Sequence, residues 1–281
     1  MTQNHHRFLL AGVMGWPIAH SRSPKIHNHW IAQYGLEGAY VPLPVAPGTL
    51  GQALRALAPL GFAGCNLTIP HKEAALEFMD RVEPAAARIG AINCVVVESD
   101  GSLTGKNYDG FGFIASLHAA APKWRAEAAP AVVIGAGGGA RAIVAGLIDA
   151  GAKEIRLFNR TPERARVLAA DFGPAVSAHR WEARSAGLAG AGLLVNTTSQ
   201  GMIGQPPLEI SLDALPSSAL VSDIVYAPLE TPLLAAARRQ GLATVDGLGM
   251  LLHQARPAFR DWSGAMPEVT PALRALVAAT L

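Results

Sequence analysis

Cysteine is nearly absent from this chain: Cys65 and Cys94 are the only two in 281 residues. Two thiols supply neither a disulfide framework nor a zinc cluster and fit a reducing compartment, so a cytoplasmic protein is expected. Charge is sparse as well, at 16% of residues with a formal net charge of +2. No basic block runs longer than Lys123-Trp124-Arg125, which leaves no electrostatic footprint for nucleic acid. A long unbroken apolar run is also missing. The longest uncharged stretch, 185–208, is interrupted by NTTSQ and by Pro206-Pro207, so it does not read as a membrane span. The start, MTQNHHRFLLAGVMG, carries an apolar run too short for a signal peptide. No internal repeat or low-complexity segment occurs.

What is present points to an ordered α/β protein. Half of the residues are hydrophobic and 29 are glycine and 20 proline, a composition for packed cores joined by many turns. The length accommodates two cores, so two domains are expected. Apolar runs and amphipathic segments alternate from the start: strands at FLLAGVMG, AYVPLPV and GCNLTIP, helices at 24–34 and 47–58. Helices over about 72–79 and 84–89 follow, then a hairpin turning at Asp100-Gly101 and a helix at 109–120. The polar stretch APKWRAEAAP separates this from a second series, beginning at Ala131, of strands AVVIG, EIRLFN, one near Val176, GLLVN, ALVSDIV and ATV. Helices stand between most of these strands, the pattern of a Rossmann-type doubly wound parallel sheet. Two closing helices, about 247–260 and 268–280, have no strand between them and are expected to return to the first domain. The organisation read from this is a first α/β domain at 1–112 with 246–281, and a second, doubly wound domain at 113–245.

The second domain carries its own chemical signal. In AVVIGAGGGARAIVAGL, Gly135, Gly137 and Ala140 have the GxGxxA spacing, between a strand and a helix, that brings backbone amides against a pyrophosphate. An acidic residue about 20 positions on would hold a ribose 2′-hydroxyl. The chain has Asn159-Arg160-Thr161 there instead, with Arg164 one turn further. Arginine suits a 2′-phosphate, so NADP(H) is the expected cofactor. The structural alternative makes Arg160 a strand-end charge and Thr161 a helix cap before Pro162.

In the first domain, NLTIPHK ends at Lys72, in the first turn of the helix expected over 72–79. A cation there faces the positive end of the helix dipole, at a cost of roughly 0.3 to 1 kcal/mol, and a broken local rule is a hint of function. A lysine so placed suits proton exchange with an alcohol or ketone; the alternative is a solvated surface residue. Ser21 and Ser23 precede a helix that starts at Pro24. Ser23 reads as its N-cap, whereas Ser21 is not explained by capping, and the two hydroxyls together make a donor-rich place for a carboxylate. His5 and His6 belong to a terminal tail, and His20, His27 and His29 lack acidic or cysteine companions at ligand spacing, so no metal is expected.

These segments, with PIAHSRSPKIHN, GAIN at 90–93, NYDGFG at 107–112, NRTPER at 159–164, NTTSQGM at 196–202, DIVYAPLETPL at 223–233 and DGLGMLLHQA at 246–255, resemble the shikimate dehydrogenase family along essentially the whole chain. The resemblance implies reduction of 3-dehydroshikimate to shikimate with NADPH. It implies that Lys72 is the catalytic lysine and Asp109 its partner, and that Ser21 and Ser23 hold the substrate carboxylate. Thr68, Asn93 and Gln254 fall where the family binds or flanks the ring hydroxyls, and Tyr226 where it has a tyrosine at the carboxylate. The NADP site would comprise Gly135, Ala136, Gly137, Gly138, Gly139 and Ala140 with Asn159, Arg160, Thr161 and Arg164. Ile224, Gly247 and Met250 would shape the nicotinamide pocket. The chain departs from the family at Tyr108, where threonine or serine is usual, and at Cys94, where threonine is frequent. Two other functions fit the same residues: a quinate/shikimate dehydrogenase of broader use, and a non-catalytic NADPH and metabolite sensor. A small-molecule substrate is expected, without nucleic acid or membrane, in a monomer or homodimer.

Overall fold

The computed structural model describes residues 8–281, so His5 and His6 lie outside the described residues. The chain divides into two compact units: one runs to Tyr108 and resumes at Gln254–Thr280, the other is Asp109–His253.

The first unit is a six-stranded mixed sheet with helices. In chain order it holds β1 (Leu9–Gly15), α1 (Ser23–Gln33), β2 (Gly38–Pro44), α2 (Leu50–Ala56), β3 (Gly64–Leu67), α3 (His71–Ala74), β4 (Arg81–Val82), α4 (Pro84–Ile89), β5 (Cys94–Val97) and β6 (Leu103–Lys106). The strand order is β2-β1-β3-β5-β6-β4. β1 is parallel to β2 and β3, whereas β5 is antiparallel to both β3 and β6. Leu50, Leu54, Leu57, Cys65, Leu67, Ile92, Val95 and Leu103 form one core on this sheet. The hairpin forms where Asp100-Gly101 predicts it, with Gly101 at φ +83° and the Asp100 carboxylate accepting from the Ser102 amide at 2.9 Å. The two-residue β4 is too short to show any periodicity in the sequence. The expected helix over 72–79 is a single α turn followed by a 3-10 turn at Ala75–Phe78.

The second unit contains α5 (Asp109–Ala120), β7 (Ala131–Ile134), α6 (Gly138–Asp149), β8 (Ile155–Phe158), α7 (Pro162–Phe172), β9 (Val176–His179), β10 (Leu193–Asn196), β11 (Leu220–Asp223), α8 (Pro232–Arg239) and β12 (Ala243–Val245). All pairings are parallel, in the order β12-β11-β10-β7-β8-β9. Numbered within the unit and read from the far edge, that is 3-2-1-4-5-6, the doubly wound order whose ligand crevice opens where the chain reverses direction, between β7 and β10. On β7, Ala131 and Val133 enter one core with Ile143, Leu147 and Leu157, while Val132 and Ile134 enter another with Leu194, Val221 and Leu234. Both faces are covered, which is why these strands read as continuous apolar runs.

α9 (Gly247–Ser263) begins in the second unit and ends in the first, and α10 (Pro271–Ala278) follows it there. The division falls four residues before the expected boundary at 112/113 and eight after that at 245/246. α5 belongs with the second sheet because its Gly110 lies against the α6 backbone: a Cβ there would meet the Ala142 carbonyl at 2.6 Å. The first turn of α9 is drawn in the same direction, a Gly249 Cβ meeting Ser116 Oγ at 2.6 Å.

An aromatic cluster joins α9 and α10 to the first sheet. His27 of α1 stacks on Tyr40 at 4.2 Å between centroids and meets Trp30 edge-on at 5.6 Å, while Phe259 packs on Trp30 at 5.5 Å. Trp262 adds a hydrogen bond from Nε1 to the Val95 carbonyl at 3.1 Å, and Trp30 one to the Glu268 carbonyl at 3.3 Å. His27 is thus a core ring, and burial pushes its pKa down to about 3, with Asn66 acting in the opposite direction. The unfolded chain binds a proton that the folded chain refuses. Stability from this group is therefore complete above about pH 6.5 and lost as pH falls toward 3. In denaturant titrations, lowering the pH from 7.5 to 5 should cost the wild type ~2 kcal/mol more than His27→Phe, which keeps the stack. Equal acid sensitivity would show that His27 is not the responsible group.

Candidate active site

Residues of the first unit that the sequence places in a candidate site are joined by one chain of buried hydrogen bonds. A side-chain bond joins Ser23 to Tyr40, and the Tyr40 hydroxyl donates to Asn66 Oδ1 at 2.7 Å. Asn66 Nδ2 donates to the Asn93 carbonyl at 2.9 Å. Asn93 Nδ2 then donates to Gln254 Oε1 at 3.3 Å. Asn93 is only 2% exposed, and its Oδ1 accepts the Tyr108 amide at 2.9 Å, which fixes which end of the amide faces Gln254. Ser23, Asn93 and Gln254, widely separated in sequence, are thereby brought into one network.

Sequence reasoning missed Tyr40 and Asn66, the two links between them. The available signal was Asn66 itself, a polar residue inside the buried run GCNL, which demands partners. Asn107 is another such residue, its Nδ2 donating to the Ala91 carbonyl at 2.9 Å.

The serines exchange roles relative to expectation. Ser23 is the first residue of α1 and makes no cap, while Ser21 Oγ accepts the Ser23 amide at 3.3 Å. Local capping therefore accounts for Ser21, and the buried Ser23 hydroxyl belongs to the network. Thr68 and Lys72 stand at the end of β3. The Thr68 amide donates to the Met14 carbonyl at 3.0 Å, its carbonyl accepts from the His71 amide at 2.9 Å, and the Lys72 carbonyl accepts from Ile92 at 2.7 Å. His71 is buried and bonded through Nε2 to the Val45 carbonyl at 2.8 Å. These bonds hold the NLTIPHK backbone from three sides. The dipole argument for Lys72 does not survive, because a four-residue helix carries little net dipole and Lys72 is close to both of its ends. The case for Lys72 rests on its neighbours.

In the second unit, Asp109 is buried as the first residue of α5. The glycine turn lies at the reversal point of the sheet. Gly135 has φ +113°, and a Cβ there would lie 2.5 Å from Thr197 Oγ1 in the loop after β10, so only glycine fits. Gly137 faces open space, nothing lying within 4 Å of where its Cβ would be. It N-caps the twelve-residue α6 without a side-chain hydrogen bond, while Ala140 is fully buried against the sheet. The helix thus presents Gly138 and Gly139 amides that its own turns leave unbonded. A Gly139 Cβ would lie 3.3 Å from Ile224, and Gly247 touches the Ile224 backbone, with Met250 packed on the same core as Ile224. Ala136, Ile224, Gly247 and Met250 are therefore gathered around the turn. Tyr226 is half-buried just beyond β11.

At the end of β8, Asn159 Nδ2 donates to the Thr161 carbonyl at 2.8 Å, and Thr161 makes no side-chain cap to α7. Arg160 and Arg164 are exposed and have no ion pair among the described residues, in contrast to Arg141 with Asp171 at 2.7 Å and Arg166 with Glu163 at 2.9 Å. An open glycine face, an uncapped helix and two uncommitted guanidinium groups fit a dinucleotide with a 2′-phosphate. Among the described residues no group of His, Cys, Asp and Glu gathers that could hold a metal ion, and no helix is long and apolar enough to cross a membrane.

The loops around this turn depend on a buried acid. Asp223 accepts from Thr231 Oγ1 at 2.7 Å, Asn196 Nδ2 at 3.0 Å and the Val225 amide at 3.0 Å. Asn196 Oδ1 in turn takes the amide and hydroxyl of Thr198. One carboxylate thereby ties NTTSQ to the segment carrying Ile224 and Tyr226.

Comparison with known proteins gives a consistent result over both units. The profile of the shikimate dehydrogenase substrate binding domain matches residues 13–95, and that of shikimate / quinate 5-dehydrogenase matches residues 119–224. The shikimate dehydrogenase (NADP(+)) of Rhodospirillum rubrum is 58% identical over 272 residues, covering 95% of this chain and 96% of its own. The shikimate 5-dehydrogenase of Thermus thermophilus, solved with NADP(H) and shikimate, superposes with a TM-score of 0.87 at 37% identity, covering 98% of this chain and all of that one. The quinate dehydrogenase of Corynebacterium glutamicum, solved with NAD, has a TM-score of 0.90 at 31% identity, with 97% and 99% covered.

Burial pushes the Asp223 pKa up to about 6, against three hydrogen bonds that act to lower it. The folded chain holds this proton where the unfolded chain, near 3.8, has released it. The stability contribution therefore rises as pH falls from about 6 toward 4. Asp223→Asn keeps an acceptor and removes the titration, so between pH 7 and 4.5 the wild type should gain ~1–2 kcal/mol relative to the variant. A pH-independent difference in their unfolding free energies would refute this.

Proposed function

Because the chain belongs to the NADP-dependent shikimate dehydrogenase family, we propose that Lys72 is the general acid and base of its reversible reduction of 3-dehydroshikimate to shikimate, with Asp109 as its partner. The observation that carries the reading is the fixed network through Ser23, Asn66, Asn93 and Gln254, whose donors and acceptors are set before any ligand arrives. A polyhydroxylated ring needs such a preset pattern, since a buried polar group left unpaired costs about 1–3 kcal/mol. Ser23 and Tyr226 take the carboxylate together with Ser21, whose oxygen accepts the Ser23 amide while its hydroxyl proton donates outward, and Thr68, Asn93 and Gln254 take the ring hydroxyls.

NADPH, when bound, supplies the hydride. Lys72 delivers a proton to the oxygen of the C3 carbonyl as that carbon is reduced, and recovers it in the reverse direction. Asp109 orients the ammonium. On the cofactor side, Gly137, Gly138 and Gly139 offer amides to the pyrophosphate, and Arg160 and Arg164 hold the 2′-phosphate. The open face at Gly137 and the uncommitted arginines support this assignment. The two free thiols are buried, in keeping with a cytoplasmic enzyme.

Since the shikimate and quinate enzymes share one backbone plan, side chains must separate their substrates. Oxidation assays with shikimate and quinate, each with NADP⁺ and NAD⁺, should show shikimate with NADP⁺ to be the preferred pair. Equal use of quinate would favour the broader enzyme. Lys72→Ala should lower kcat roughly 100-fold or more with a smaller change in KM, and near-normal turnover would remove Lys72 from the chemistry. Arg160→Ala should raise KM for NADPH while leaving KM for shikimate near that of the wild type, and an undiminished preference for NADPH over NADH would sink the 2′-phosphate assignment.

A further inference from the structure

The first unit holds a charged cluster that the reading above does not use. Lys106 Nζ lies 2.9 Å from Asp261 Oδ2 and 3.1 Å from Glu83 Oε1, and Arg260 meets Asp261 Oδ1 at 2.9 Å. The Asp261 side chain is only 9% exposed. The cluster also includes Tyr108, whose hydroxyl donates to Asp261 Oδ2. Its ring packs on Cys94, Val96 and Ala258 beside Trp262. Burial acts to raise the Asp261 pKa, but the hydrogen bonds from Tyr108, Lys106 and Arg260 bring it below the usual carboxylate range, so the acceptor is anionic at neutral pH.

Tyr108 also touches the substrate network. Gln254, Ala258 and Asp261 are four and three residues apart, which places them along one face of α9, about 10 Å from first to last. Tyr108 spans that face. Its hydroxyl is at Asp261, its ring at Ala258, and its amide holds Asn93 Oδ1, so that Nδ2 points at Gln254. External registration matters here because Pro257 interrupts the helix between Gln254 and Asp261 and cannot donate to the carbonyl four residues back. The Gln254 turn is tied to the rest of α9 by one backbone bond fewer.

We propose that Tyr108, anchored on Asp261, is a positioning residue for substrate: it fixes the amide orientation of Asn93 and the register of Gln254 against it. The inference rests on the assignment of shikimate to this network. It gives the Tyr108 phenol a place on α9, bonded to Asp261.

Tyr108→Phe removes the hydroxyl alone and Asp261→Asn weakens its acceptor, so both variants retain the packing. Calorimetry with shikimate should show Kd rising roughly 3- to 10-fold in either, the scale of a small misplacement of binding groups. The double variant should be no worse than Asp261→Asn alone, which already loses the Tyr108 bond and also weakens the pairing with Lys106 and Arg260. Steady-state assays should show the same rise in KM for shikimate, with KM for NADP⁺ unchanged and kcat less affected. A lowered Tm with Kd within about twofold of the wild type would make the bond purely structural and overturn the inference alone. A wild type that neither binds nor oxidises shikimate would overturn the substrate assignment and this inference with it.

Discussion

Asn93 is the residue on which the first unit turns. A buried asparagine must satisfy a backbone amide, a backbone carbonyl and both ends of its side chain. Its amide donates to Lys106, its carbonyl accepts from Leu67 and Asn66, its Oδ1 accepts from Tyr108, and its Nδ2 donates to Gln254. Those partners come from β3, β6, the start of the Tyr108 segment and α9. Unlike apolar contacts, which tolerate sliding, each of these bonds specifies direction, so the sheet, the hairpin and the returning helix are set in one register. The polar groups presented to a ligand inherit that register.

The second unit solves its positioning problem in the opposite way. Where the first uses directional side-chain bonds, the glycine turn works by the absence of side chains: Gly135 lets β7 and the loop after β10 approach, and Gly137 leaves its amide face clear. In the proposed assignment, specificity is added at the rim by the guanidinium groups of Arg160 and Arg164, which need no burial to recognise a phosphate. Buried Asp223, beside this turn, holds loops together. On the proposed reading, each unit matches its method to its ligand, a preset pattern for hydroxyls and an open backbone cradle for phosphates.

The centre of the parallel sheet was legible from sequence because both of its faces are covered, so β7 and β10 are buried, mostly apolar runs between turn residues, whereas the edge strand β9, VSAH, gave only a weak signal. α5, starting at Asp109, was legible to its ends, as was α4, which starts at Pro84. β4 was not, since two residues carry no period, and the segment after Lys72 was read as one helix because alternating Ala, Leu and Phe suit an α turn and a 3-10 turn alike. At the candidate site, residues within contiguous motifs could be read off directly. Tyr40 and Asn66 could not, because their importance lies in pairings between distant strands. Ser21 and Ser23 illustrate a finer limit: a shift of one residue in where α1 begins exchanges which hydroxyl is occupied by capping.

The contact of α5 with α6 has an evolutionary consequence. A Gly146 Cβ would meet the Gly110 carbonyl at 3.0 Å, just as one on Gly110 would meet that of Ala142. Neither substitution can be compensated by shrinking the other position, since each is already the smallest residue. A side chain at either site would have to part the two helix backbones, more at Gly110 than at Gly146. Conservation at either position would report this packing and not a ligand contact. The two glycines are fossils of a backbone-to-backbone approach, where there is nothing left to remove.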